Sequence, residues 1–223
     1  MFFNALSLLT LLPLASAHFL LTWPTRRGFD DDKATGGPCG GFDSVSDSRT
    51  EFPLSGGPIQ LDMHHTQSRV AVYLALGNDP SADDYTITLV PQLSEEGPGN
   101  FCLGTVNIPS DLNITAGTNG TIQVVTNGDP NGGLYQCGDV TFVNTTLSQS
   151  DYNDNCQNKT GVRVTQQNIS GQPNGTSSDS SATPSASGSG SPANASPTPG
   201  AATHATVGSW ALGAVGMAAF ALL

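Results

Sequence analysis

Arg69-Val70-Ala71-Val72-Tyr73-Leu74-Ala75-Leu76-Gly77 is the stretch that decides the fold. Val70, Val72, Leu74 and Leu76 fall at every second position, the spacing that lines one face of a half-buried strand. The turn-forming cluster Gly77-Asn78-Asp79-Pro80 closes the run. Similar short runs recur on both sides, at Pro58–Met63, Tyr85–Pro91, Phe101–Ile108, Gly120–Asn127 and Leu134–Val143. A second cluster, Asn127-Gly128-Asp129-Pro130-Asn131-Gly132-Gly133, separates the last two. No stretch shows sustained helical periodicity. Several short strands with turn signals between them predict an all-β domain, an antiparallel β-sandwich.

Outside these runs the two ends of the chain read differently. Residues 1–17 (MFFNALSLLTLLPLASA) pair an apolar stretch with Ala15-Ser16-Ala17, a pattern cut by signal peptidase. The sandwich domain is then expected over 18–170. Residues 171–206 are rich in Ser, Thr, Pro, Ala and Gly and hold almost no large apolar residues, so they read as an extended, O-glycosylated stalk. Residues 207–223 (VGSWALGAVGMAAFALL) are apolar and uncharged. Small residues, a polar spacer and an apolar tail form the pattern of GPI attachment, with Asn194-Ala195-Ser196 the best site and Gly200-Ala201-Ala202 the reserve. The tail would be removed on anchoring, or, as the alternative, kept as a C-terminal transmembrane helix; in either case the domain is held at the outer face of the plasma membrane or in the cell wall.

Among the 223 residues there are only 7 Lys and Arg against 18 Asp and Glu, a net charge of −11. A nucleic-acid partner needs clustered positive charge, so that class is excluded. The four cysteines, Cys39, Cys102, Cys137 and Cys156, all follow the signal peptide. Secretion oxidises them into two disulfides. No C-x-x-C pair is present to build a thiolate metal site. Sequons begin at Asn113, Asn119, Asn144, Asn158, Asn168, Asn174 and Asn194, and they mark solvent-facing positions. Asn194 overlaps the anchor signal and is the doubtful one.

Cleavage after Ala17 makes His18 the first residue of the mature chain. Its α-amine and imidazole then chelate one ion, and a second imidazole completes a three-nitrogen brace. The other histidines are His64, His65 and His204, and His204 lies beside the anchor signal. Alternation puts Leu61, Met63 and His65 on the apolar face of one strand and Gln60, Asp62 and His64 on the other. A core-facing residue at a strand end emerges where a terminus reaches it, which favours His65, with His64 in reserve. Nitrogen donors select copper(II) among the divalent first-row ions, whereas zinc prefers a fourth protein ligand in a tetrahedron.

Motifs spread over the domain resemble a known family. They are His18-Phe19-Leu20-Leu21 through Pro24, Arg27-Gly28-Phe29-Asp30, Gly37-Pro38-Cys39-Gly40-Gly41-Phe42, Phe52-Pro53-Leu54, Gly56-Gly57, Met63-His64-His65, Leu74–Asn78 and Tyr135-Gln136-Cys137-Gly138-Asp139-Val140. Together they are similar to the copper-acquisition-factor family of fungal proteins, GPI-anchored relatives of lytic polysaccharide monooxygenases that are not thought to cut polysaccharide. The resemblance implies an immunoglobulin-like β-sandwich that binds one copper(II). It implies His18, His65 and Asp139 as ligands, and the pairs Cys39–Cys137 and Cys102–Cys156. Read from its neighbours Val140 and Phe142 alone, Asp139 faces away from the core, as a solvated carboxylate or a rim ligand.

The resulting expectation is a monomeric cell-surface protein that captures copper(II) for uptake, with a membrane copper transporter as candidate partner, and is not an enzyme. Two alternatives differ in class. One is a copper monooxygenase on wall or external glycans, for which Tyr73, Tyr85, Tyr135 and Tyr152 would have to supply a stacking surface. The other is a metal-free wall glycoprotein.

Overall fold

A computed structural model of the protein describes residues 18–128 and 132–175. The signal peptide at 1–17, the stalk from 176, Asn194, His204 and the tail at 207–223 lie outside the described residues.

Two sheets face each other. The smaller has the order β1-β3-β6, from β1 (Phe19–Trp23), β3 (Gly57–Met63) and β6 (Gly99–Val106). The larger has the order β2-β8-β7-β4-β5-β9, from β2 (Thr50–Pro53), β8 (Gly133–Val143), β7 (Asn119–Asn127), β4 (Gln67–Leu76), β5 (Ile87–Glu96) and β9 (Arg163–Gln166). Each inner face carries the apolar half of an alternating pattern. Phe19, Leu21, Ile59, Leu61, Met63 and Phe101 of the small sheet meet Val70, Val72, Leu74, Ile122, Val124, Val140 and Phe142 of the large one, all buried. At roughly 1.5–3 kcal/mol for each fully buried large side chain, this layer is what holds the two sheets together. Trp23 and Phe52 close one part of it, with ring centroids 5.3 Å apart.

The expected runs all contain strands, with one shift: Tyr85–Pro91 becomes Ile87–Glu96. Strands β1, β2 and β9 are short, and alternation over four or five residues is too brief to read. All pairings are antiparallel except β2 with β8, where Phe52 sits opposite Phe142. The long connection from 24 to 49 lets the chain re-enter in that direction. The helix α1 (Gln149–Asp154) was not legible as periodicity because it is six residues long. Its start is set by a cap, the Ser148 hydroxyl accepting the Asp151 N–H at 3.1 Å.

Of the three possible disulfide pairings, the structure has Cys39–Cys137 and Cys102–Cys156. The first ties the 24–49 connection to β8 across the outer face of the large sheet. Glycines let that connection lie close. A Cβ on Gly28 would be 2.4 Å from the Phe42 ring, and Gly40, at φ +64°, would meet the Tyr135 carbonyl oxygen at 2.5 Å.

β1 is the edge of the small sheet, so its outer hydrogen-bonding groups need partners. Gln136, buried on the inner face of β8, supplies them. Its Oε1 accepts the Leu21 N–H at 2.8 Å and its Nε2 donates to the Phe19 carbonyl. One side-chain amide thus takes the place of a strand and sets where β1 begins, directly after His18.

Candidate metal centre

His18 and His64 stand side by side because β1 and β3 pair in register, Phe19 opposite Met63 and Leu20 opposite Asp62. The His64 N–H donates to the His18 carbonyl at 3.1 Å, extending the ladder one step. The two rings stack with centroids 4.1 Å apart and planes 25° off parallel. Phe29 covers His18 from another direction, centroids 5.0 Å apart. Two carboxylates border the pair. Asp31 Oδ1 is 3.7 Å from His18 Nδ1, and Asp62 Oδ2 is 3.3 Å from His64 Nε2. Burial lowers the pKa of the His18 imidazole, the neighbouring His64 lowers it further, and Asp31 pulls the other way. The net effect keeps the ring neutral, with a lone pair to offer, at pH 7.

His65 follows Met63 on the core-facing side of the alternation. Its Nε2 is buried, and among the described residues no group hydrogen-bonds to it. A buried nitrogen without a partner carries a desolvation cost of about 1–3 kcal/mol that a ligand bond removes. Among the described residues no three His, Cys, Asp or Glu side chains are grouped so that they could hold a metal ion. A brace asks for less, two imidazoles and one amine, and the nitrogens of His18 and His65 fit copper(II) in kind.

Asp139 does not join this cluster. It faces away from the core, as alternation requires, but it is neither solvated nor at a rim: it is 1% exposed. The 24–49 connection folds over it. Arg27 grips the carboxylate from two sides, Nε to Oδ2 at 2.9 Å and Nη2 to Oδ1 at 2.8 Å. The Ser46 N–H donates to Oδ2 at 2.8 Å and the Thr121 hydroxyl to Oδ1 at 2.7 Å. Burial alone would raise the Asp139 pKa; the bonds from Arg27, Ser46 and Thr121 outweigh it and hold the carboxyl below its usual value. Residues 26 and 27 lie beside Gly138 and Cys137, past the far end of β1 from His18. The five residues of β1 put about 16 Å of strand between the two sites. In this structure the carboxylate implied as a ligand is held in an ion pair with Arg27 and not beside His18. The carboxylates missed as neighbours of His18 are Asp31 and Asp62. The signal for Asp62 was its place two residues before His64 on the same strand face.

Three of the four tyrosines gather, but not here: Tyr73, Tyr85 and Tyr135 line a cleft on the outer face of the large sheet. Tyr152 is elsewhere, its hydroxyl 3.3 Å from that of Thr105. Among the sequon residues Asn113, Asn144, Asn158 and Asn168 are exposed, whereas Asn119 and Asn174 are half-buried. Asn119 spends its amide N–H on Asn78 at 2.8 Å.

The family model described as "Copper acquisition factor BIM1-like" matches residues 16–161. An uncharacterized protein of Aspergillus fumigatus is 43% identical over 165 residues, covering 72% of this chain and 66% of that protein. The copper acquisition factor BIM1 of Cryptococcus neoformans is 31% identical over 137 residues, covering 58% of this chain and 62% of its own. A lytic polysaccharide monooxygenase-like protein X325 of Yarrowia lipolytica is 33% identical over 168 residues, covering 71% and 60%. The alignments thus span between 60% and 66% of these relatives' lengths.

Proposed function

The chain belongs to the BIM1-like copper acquisition factor family, and on that premise we propose that it captures copper(II) at the cell surface through a histidine brace and passes it on without redox catalysis. The α-amine and imidazole of His18, freed by cleavage after Ala17, hold one side of the ion. The His65 imidazole holds the other. The observation that carries this reading is the buried, unpartnered Nε2 of His65 at the strand end nearest His18. A T-shaped brace needs its two imidazoles on opposite sides of the metal. His64, stacked on His18, lies on the same side and serves as a flanking group.

Copper is the cargo here. Asp31 and Asp62 place negative charge beside the site, which favours copper(II) over copper(I) and opposes the cycling a monooxygenase requires. Protons compete with the metal for nitrogen donors, so affinity falls as pH drops and cargo is released in acid. A GPI anchor after a glycosylated stalk would hold the site beside membrane copper transporters.

The test uses the secreted protein with its native His18 terminus. Calorimetry and electron paramagnetic resonance should show one tight copper(II) per chain with a three-nitrogen signature. A form whose His18 α-amine is acetylated should bind at least about tenfold more weakly, because that nitrogen can no longer coordinate. Equal affinity of the two forms overturns the brace. Oxidised oligosaccharides released from glycans with reductant and peroxide would overturn the non-catalytic reading while leaving the brace standing.

A further inference from the structure

The outer face of the large sheet holds a cleft of about 290 Å³. Its floor comes from the register of three strands, where Tyr73 pairs with Gln123 and Val125 with Tyr135. Tyr85 and the segment carrying Gln172 and Asn174 complete the walls. Among the described residues no charged side chain lines it. Phenol rings and amides are what remain, the chemistry that suits a neutral, hydroxylated ligand with one apolar face. Tyr85 turns its hydroxyl inward, 3.4 Å from Cys39 Sγ. Gln123 spends Nε2 on the Pro38 carbonyl at 2.9 Å. The Tyr73 hydroxyl bonds to no group among the described residues.

One wall residue decides the occupant. Asn174 heads the sequon Asn174-Gly175-Thr176, and its Nδ2 donates to the Tyr135 hydroxyl at 2.9 Å. That nitrogen is the atom an N-linked sugar is attached to. In the attachment the anomeric carbon of N-acetylglucosamine leaves an oligosaccharide pyrophosphate donor and bonds to Nδ2. The pyrophosphate is the leaving group, one Nδ2 proton goes to solvent, and the nitrogen keeps its second hydrogen. A sugar joined there begins within the cleft. The geometry points to an intramolecular carbohydrate site: the first N-acetylglucosamine on Asn174 lies against Tyr135 and Tyr73 and fastens the 169–175 segment to the sheet. The segment already has two holds, the Ile169 N–H donating to the Gln92 carbonyl at 2.8 Å and the Asn174 amide on Tyr135, and the sugar adds packing against the rings to the second.

The experiment compares the full-length mature protein, secreted from eukaryotic cells, in three forms: fully glycosylated, trimmed by endoglycosidase to one sugar per site, and Thr176→Ala, which removes the sequon but keeps Asn174. Nuclear magnetic resonance should show the Asn174 sugar protons shifted upfield by the tyrosine rings in both glycosylated forms, and Tyr135→Ala should abolish the shift. Amide exchange over 169–175 should quicken about tenfold in Thr176→Ala. Sugar signals at free-glycan positions, or Asn174 unmodified in the secreted protein, overturn the proposal. So does chitobiose added to Thr176→Ala filling the cleft while the native glycan stays free, because the ligand would then come from outside.

Discussion

Arg27 and Asp139, 112 residues apart in the chain, form a buried two-point ion pair at 2.8 and 2.9 Å. The pair pins the connection that follows β1 to the middle of the large sheet. Removing one partner leaves the other charge uncompensated, which costs about 3–5 kcal/mol. Asp139→Asn should therefore lower stability in urea by that amount while copper affinity of the folded protein stays within about threefold, less than the 1.4 kcal/mol that a tenfold change requires. A folded Asp139→Asn protein with tenfold weaker copper binding would return Asp139 to the ligand set.

His64 and His65 are adjacent but should behave differently. His65→Ala removes the proposed second ligand and should abolish tight copper binding. His64→Ala removes a stacked neighbour and should weaken binding by about tenfold, the scale of an outer-shell contact. Resonance spectra separate the two: the nitrogen pattern changes in the first variant and persists in the second. The reverse order assigns the second ligand to His64.

Gln136 stands in for a strand beside β1. Gln136→Leu preserves bulk but leaves the Phe19 carbonyl and the Leu21 N–H without partners in the core. At about 1–3 kcal/mol per orphaned group, the loss should be roughly 2–6 kcal/mol. Because β1 begins directly after His18, hydrogen exchange at Leu21 should rise and, on the proposed brace, copper affinity should fall with it. Thermal melts with and without copper(II) measure both effects.

Glu95 gives the fold a pH dependence. It lies across from Ser68 on β4 and Val164 on β9, and neither carboxylate oxygen has a hydrogen-bond partner among the described residues. Burial, helped by the charge of Glu96, pushes its pKa from 4.5 up to about 7. The folded state therefore holds its proton more tightly than the unfolded chain does. The stabilisation is complete below pH 4.5, is lost as pH climbs through that window, and is gone above about 7. Glu95→Gln should flatten the urea stability profile between these limits and exceed the native protein by roughly 2–3 kcal/mol at pH 8. A profile that keeps its slope removes Glu95 as its source.

Alternation by itself determined which side chains of β4, β7 and β8 face inward, because the pleat of a strand is a local property with period two. It put Val70, Val72 and Leu74 in the core and turned Asp139 to the opposite face of β8 from Val140 and Phe142, and the structure agrees on each. The same rule put Met63 inside with His65 next in line. What covers a face is not local. Alternation could not tell that the 24–49 connection folds over Asp139 and brings Arg27 onto it, so an outward carboxylate read as solvated or as a rim ligand is buried. Nor could it tell that antiparallel pairing of β1 with β3 stacks His18 on His64, or that Tyr73, Tyr85 and Tyr135 meet across two strands and a loop. These contacts join residues far apart in the chain. They are settled by strand register and loop packing, which depend on the free energy of the whole fold.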